Sequence, residues 1–223
     1  MSSSAQSSSL GQLLSVEGDF APRSRRASWR FLLACVLAGG VLYGVCMGSW
    51  QVRPLQQLFS AIKTPLLISA GGLFCLPSFY VVNTLLGLRD DLPDALRGVF
   101  ASQAVAAVCL ASLGPIVLVL YSGLDNYQAA KAINGVLFFL SSLAGQIVLA
   151  RHYRTLIQRD KRHGFALVAW LVSFWFVTIQ LAWMLRPFIG RPEDPTTFFR
   201  SDTWGNAYVE VWKAVSGALS AMP

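Results

Sequence analysis

Five stretches of the chain carry no charged residue and are long enough to cross a bilayer: residues 31–50, 65–88, 99–121, 133–150 and 165–185. No other feature restricts the fold so severely. A helix rises ~1.5 Å per residue, so ~20 residues cover a hydrocarbon core ~30 Å thick. Backbone groups in lipid find no water, so each stretch must satisfy its own N–H and C=O groups, and the helix is the form that does so. Charged residues make up only 13% of the 223-residue chain, where a water-soluble domain carries about 25%. The expected fold is an all-α membrane protein: a single bundle of about five transmembrane helices with one or two amphipathic helices at the interface.

The charges gather between the spans, and their sign sets an expected orientation. With the amino terminus inside, eleven Lys and Arg fall on the inner side and seven on the outer. The connector between the fourth and fifth spans decides the matter, because Arg151, Arg154, Arg159, Lys161 and Arg162 are opposed there by Asp160 alone. Short, basic connectors stay cytoplasmic. We therefore expect a cytoplasmic amino terminus, an outer carboxyl terminus and residence in a cell's inner (plasma) membrane. Residues 1–30 read as a disordered cytoplasmic tail, Ser-rich at first and basic at Arg23, Arg25, Arg26 and Arg30. They are too polar and too long before the first apolar run to be an ordinary signal peptide, and Arg25-Arg26-Ala27-Ser28 reads as a solvated flank rather than a kinase site. The net charge of +7 points to anionic lipid and not to nucleic acid, since the basic residues flank spans instead of interleaving with aromatics on a soluble module.

Two polar-flanked segments on the outer side have helical periodicity. In residues 51–63, Leu55, Leu58, Phe59 and Ile62 are spaced i, i+3, i+4, i+7 behind Pro54. In the outer tail, residues 187–223, a helix over 203–215 places Trp204, Tyr208, Val211, Trp212 and Val215 on one face. Both are expected to lie in the interface.

Candidate functional residues are few. Gly40, Gly44 and Gly48 repeat at every fourth position of the first span and flatten one face, so a second backbone can approach closely. The partner is expected to be another span of this chain, with a second copy as the alternative. Pro77 in the second span and Pro115 in the third free the carbonyls of Leu73 and Ala111 and are candidate kinks. Paired broken helices can frame a transport site. The uncharged runs contain no Asp, Glu, Lys, Arg or His, which disfavours proton coupling. Asn83, Gln103, Asn134, Gln146 and Gln180 remain to hydrogen-bond between helices. At the end of the fifth span, Arg186, Pro187 and Gly190 stop the helix and turn the chain, and Arg186 is a candidate outer anchor, toward Asp202, Glu210 or a lipid phosphate. His152 and His163 read as surface residues beside the basic connector. Cys35, Cys46, Cys75 and Cys109 read as small buried hydrophobes. Neither set composes a metal site, and no cofactor is expected.

Three stretches carry a resemblance: Tyr43-Gly44-Val-Cys-Met-Gly48; Lys63-Thr-Pro65-Leu-Leu running on to Cys75-Leu-Pro77-Ser-Phe-Tyr-Val-Val-Asn83-Thr-Leu-Leu-Gly87; and Gln180-Leu-Ala-Trp183-Met-Leu-Arg186-Pro187-Phe-Ile-Gly190. Together they resemble an uncharacterised group of bacterial multi-pass membrane proteins, which implies five spans and no particular activity. The layout, a cytoplasmic tail and then five spans, is similar to the Yip family of trafficking proteins, but that family's Asp-Leu-Tyr-Gly-Pro signature is missing here. The expected function is that of a non-enzymatic membrane component acting by contact with the lipid bilayer, other membrane subunits or a second copy. A small transporter or channel subunit using helices two and three is the alternative. An outer-face enzyme built on Glu193, Asp194, Asp202 or Glu210 ranks third, because no spacing singles out those carboxylates.

Overall fold

The computed structural model describes residues 29–190 and 193–199. Residues 1–28 of the expected tail 1–30, the outer helix 203–215 and the carboxylates Asp202 and Glu210 lie outside the described residues, and residues 29–30 already belong to the first helix. Helix accounts for 85% of what is described, with no strand among it, and five helices are long and apolar enough to cross a membrane. They are α1 (Trp29–Gly48), α2 (Pro54–Leu85), α3 (Leu92–Tyr121), α4 (Tyr127–Arg159) and α5 (Arg162–Met184). The chain is therefore a multi-pass helical membrane protein.

Several helices run past the uncharged runs that announce them. Residues 151–159 continue α4 through three arginines, and residues 92–98 start α3 before its apolar run begins. Backbone hydrogen bonding does not stop at the hydrocarbon edge, so charged turns extend the cylinder into the headgroup zone. Local chemistry sets the ends. Pro54 occupies the first turn of α2, where its missing N–H costs nothing. Asn126 caps α4, its side chain accepting from the backbone N–H groups of Gln128 and Ala129 at 2.8 and 3.2 Å. The reversal between α1 and α2 passes through a 3-10 turn, Trp50–Val52, in which Gln51 and Val52 have φ of 54° and 51°. This left-handed backbone is costly for a β-branched residue.

Short connections leave consecutive helices antiparallel. The starts of α1, α3 and α5 share one face, here the near face, and their ends share the other, the far face. Around the bundle the order is α5, α2, α1, α3, α4: α1 packs on both α2 and α3, α2 on α5 and α3 on α4, while α4 and α5 touch only slightly. Gly40, Gly44 and Gly48 all face α2. A Cβ on Gly40 would fall 2.7 Å from Pro65 Cα, one on Gly44 2.7 Å from Ala61 Cα and one on Gly48 2.7 Å from Gln57 Cα. Gly39 faces the other way, where a Cβ would meet Ala107 O of α3 at 2.6 Å. Neighbouring glycines thus let α1 settle against two helices at once.

The first turns of α2 correct an expectation. Residues 51–63 do not form a separate interfacial helix, because Pro54 opens a helix that runs unbroken to Leu85. Nor does the apolar stripe seek the protein. Leu55, Leu58 and Ile62 are about half exposed, whereas Gln56, Ser60, Lys63 and Thr64 are buried. Lipid is as apolar as leucine, so an outer surface of leucines costs nothing there. Polar groups gain by turning inward to partners.

Candidate functional site

Lys63 lies just before the uncharged run 65–88, in the third turn of α2, and has no accessible surface. A buried ammonium demands partners. Its Nζ donates to Pro187 O at 2.7 Å and sits 4.7 Å from the ring centroid of Phe198, a cation–π distance. Gln56 Nε2 donates to Phe188 O at 2.8 Å and to Pro187 O at 3.3 Å, and Ser60 Oγ also donates to Phe188 O. From α4, Tyr127 OH donates to Ile189 O at 3.0 Å. Three successive carbonyls are thus satisfied by side chains, as non-helical backbone at membrane depth requires. Arg53 extends the attachment, its Nη2 donating to Asp194 O at 2.9 Å and Thr196 Oγ1 at 2.5 Å. The segment after α5 is therefore a strap folded back over the far end of α2. Gly190 fits because a Cβ there would meet Gln56 Oε1 at 2.8 Å.

Beside the strap, α4 and α5 diverge. In the near half they are packed together by Leu149, Tyr153, Leu156, Leu167, Trp170 and Phe174, and Trp170 Nε1 donates to Gln146 Oε1 at 3.3 Å. Toward the far face the two helices part and leave a cleft of about 490 Å³, within the ~300–1,000 Å³ of typical small-molecule sites. Phe138, Phe139, Trp175 and Ile179 form its walls, Leu67 of α2 backs it, and Pro187, Phe188 and Ile189 of the strap close its far end. Phe139 and Trp175 approach with ring centroids 5.3 Å apart. Phe139 is 52% exposed and Ile179 42%, so the cleft opens sideways onto the lipid-facing surface. Gly135 contributes room, since a Cβ there would meet nothing within 4 Å.

Lys131, Asn134 and Arg186 sit toward the far end of the cleft, and Ser142 and Thr178 lie deeper. Asn134 joins three helices: its Oδ1 accepts from Tyr43 OH at 2.8 Å, and its Nδ2 donates to Tyr121 OH at 2.7 Å and to Ala130 O at 2.8 Å. Tyr121 OH in turn donates to Met47 O at 3.1 Å. Lys131 and Arg186 are the two cations lining the cleft, and none of its lining residues is acidic. Lys131 Nζ lies 5.7 Å from the centre of the Tyr127 ring. The Arg186 guanidinium stacks on Trp183, its Cζ 3.1 Å from the ring centre, and Nε donates to Trp183 O at 3.1 Å.

The other candidates lie elsewhere. Pro77 and Pro115 stand inside unbroken α2 and α3 with exposed side chains, so they border lipid instead of framing an interior path. Pro65 is the in-helix proline at a packed interface, against Gly40. His152 and His163 are not surface residues. His163 is fully enclosed with Nε2 3.0 Å from Asp91 Oδ2, and His152 Nε2 lies 3.0 Å from Asp94 O, its ring filling the space beside Gly98. Both pin α3 to the basic connector. There, Arg162 bonds the Asp160 carboxylate and donates to Leu86 O at 2.8 Å, and its hydrogen bond holds the Asp160 carboxyl below the usual carboxylate range. Among the described residues no three His, Cys, Asp or Glu side chains gather to hold a metal. The four cysteines are unpaired thiols within the helices.

The fold and the cleft define a class, a five-span helical membrane protein with a lateral pocket between its fourth and fifth spans. Comparison with protein-family models, with curated proteins and with solved structures returns no match.

Proposed function

We propose that this protein is a non-enzymatic membrane component that works by contact, holding an apolar chain from the bilayer in the cleft between α4 and α5. One observation carries this reading: a cleft with walls of Phe138, Phe139, Trp175 and Ile179 opens to the lipid side of the bundle. Apolar walls offer dispersion contacts and shape. Substituting Gly135 with Phe should fill the cleft without touching the packed half of the bundle. After mild detergent extraction, the wild-type protein is expected to retain tightly held lipid through repeated washing. The Gly135→Phe protein should retain at least tenfold less at an unchanged melting temperature. Equal retention by both proteins would defeat the reading.

The near face is taken as cytoplasmic, because it collects Arg89, Arg97, Arg151, Arg154, Arg159, Lys161 and Arg162, and short basic connectors are retained inside. The resemblance to bacterial multi-pass proteins favours a bacterial inner membrane as the setting. In a background lacking the four native cysteines, Asp125→Cys should react with a membrane-impermeant thiol reagent in intact cells, and Asp90→Cys should react only after lysis. The opposite pattern would invert the topology.

A further inference from the structure

Resting on that reading, we propose that the cleft measures its occupant: the ring contact between Phe139 and Trp175 is a stop that fixes the acyl-chain length accepted from a lipid of the far leaflet. The cleft is bounded at both ends and open along one side. At the far end stand Pro187, Phe188 and Ile189 of the strap. At the inner end Phe139 reaches across from α4 and meets Trp175 of α5, with ring centroids 5.3 Å apart. Trp175 is backed in turn by Phe174 of the packed near half, their ring centroids 5.9 Å apart. Past that contact the two helices close, and Trp170 Nε1 donates to Gln146 Oε1. Two aromatic rings thus stand where a chain lying inward would run into packed helix.

Length is what such a site can read. In a bilayer, an apolar chain gains nothing by leaving lipid for walls that are equally apolar. Discrimination must come from fit, through dispersion contacts that fall away across a gap and the cost of forcing extra atoms into filled space. Along α5 the lining runs from Trp175 to Arg186, a rise of about 16 Å at ~1.5 Å per residue. A hydrocarbon core of ~30 Å gives each leaflet about half of that depth. A chain of ordinary leaflet length therefore touches the walls from end to end and brings its methyl terminus to the stop. A longer chain must buckle or leave through the open side, where Phe139 and Ile179 are exposed, and it loses wall contact either way. Gly135 keeps the α4 wall clear along this course, since a Cβ there would meet nothing within 4 Å.

The test is chain-length competition on the full-length protein. Wild-type protein in mild detergent is equilibrated with equal amounts of dipalmitoyl and dibehenoyl phosphatidylcholine, whose headgroups are identical, and bound lipid is measured by native mass spectrometry. The dipalmitoyl lipid should be enriched by roughly fivefold, the lower end of what overpacking a filled site costs. Two variants move the stop in opposite directions. Phe139→Ala with Trp175→Ala removes it and should abolish the enrichment. Ile179→Trp builds a new stop one turn nearer the strap, so this protein should favour dilauroyl over dipalmitoyl lipid by a similar factor. Ile179 is exposed, so the larger ring displaces lipid and not packed protein, and this arm decides the matter even if the double alanine protein unfolds. No preference in the wild type, or one that Ile179→Trp leaves unchanged, overturns the proposal and leaves the reading of an apolar-chain site standing. If Gly135→Phe binds as much lipid as the wild type, the reading itself falls. Occupancy that rises and falls with protein self-association would assign the cleft to a second copy and overturn both.

Discussion

Leucine in place of Gly44 is expected to unseat α1 from α2 and lower stability by roughly 3 kcal/mol, the upper end of what overpacked cores lose. A Cβ at this position would lie 2.7 Å from Ala61 Cα and 2.8 Å from the Ser60 carbonyl carbon, and it would meet Ser60 O closer still. These are backbone atoms, so no rotamer change makes room and the two helix axes must separate. Separation then loosens Gly40 from Pro65 and Gly48 from Gln57, because all three contacts lie along one seam. The measurement is thermal or denaturant unfolding in detergent, with Gly164→Ala as the control. Nothing lies within 4 Å of a Cβ at Gly164, and alanine there should gain a few tenths to about 1 kcal/mol from helix propensity. A Gly44→Leu protein that melts with the wild type would show that this seam does not hold the bundle. Loss of a dimer with the monomer's melting unchanged would assign the glycines to a second copy instead.

The other large effect concerns the strap. Changing Gln56 and Ser60 together to alanine removes the side chains that donate to Phe188 O, along with one donor to Pro187 O. Phe188 O, left unpaired at this depth, has no water to turn to. At ~1–3 kcal/mol for a buried group left unsatisfied, the double variant should lose roughly 1–3 kcal/mol. Its signature should be local before it is global, with faster cleavage by a broad-specificity protease within residues 187–199 while α1 to α5 stay protected. Lys63 to Pro187 and Tyr127 to Ile189 remain, so the strap should loosen and not leave. Because Pro187, Phe188 and Ile189 close the far end of the cleft, retained lipid should fall in the same variant. An unchanged cleavage rate would mean that the strap is held by Arg53 and the aromatic contacts of Phe198, and not by the buried amide and hydroxyl.

The α2 segment shows how far periodicity alone carries. Leu55, Leu58, Phe59 and Ile62 form a helical stripe, and in a water-soluble protein that stripe would mark the buried face. Here the complementary stripe is the buried one: Gln56, Ser60, Lys63 and Thr64 recur at i, i+4, i+7 and i+8. That polar spacing was visible in the sequence and was the available signal for Lys63. What it lacked was a statement of which solvent surrounds the helix. His163 was misplaced for a related reason. Its position beside a basic connector looks exposed along the chain, but the connector folds back until the imidazole meets Asp91, seventy-two residues away in sequence.

The sequence alone determined the number of spans, the helical form of each and the close-packing face of α1, because charge cannot dwell in hydrocarbon and glycine leaves a surface that another backbone can meet. These are properties of each segment in its solvent, and they need no neighbour. Which faces met, which amide found a carbonyl and where two helices failed to touch were decided only by the tertiary structure. The cleft between α4 and α5 is a difference between two packings, tight in one half and open in the other, and no residue in either helix encodes such a difference by itself.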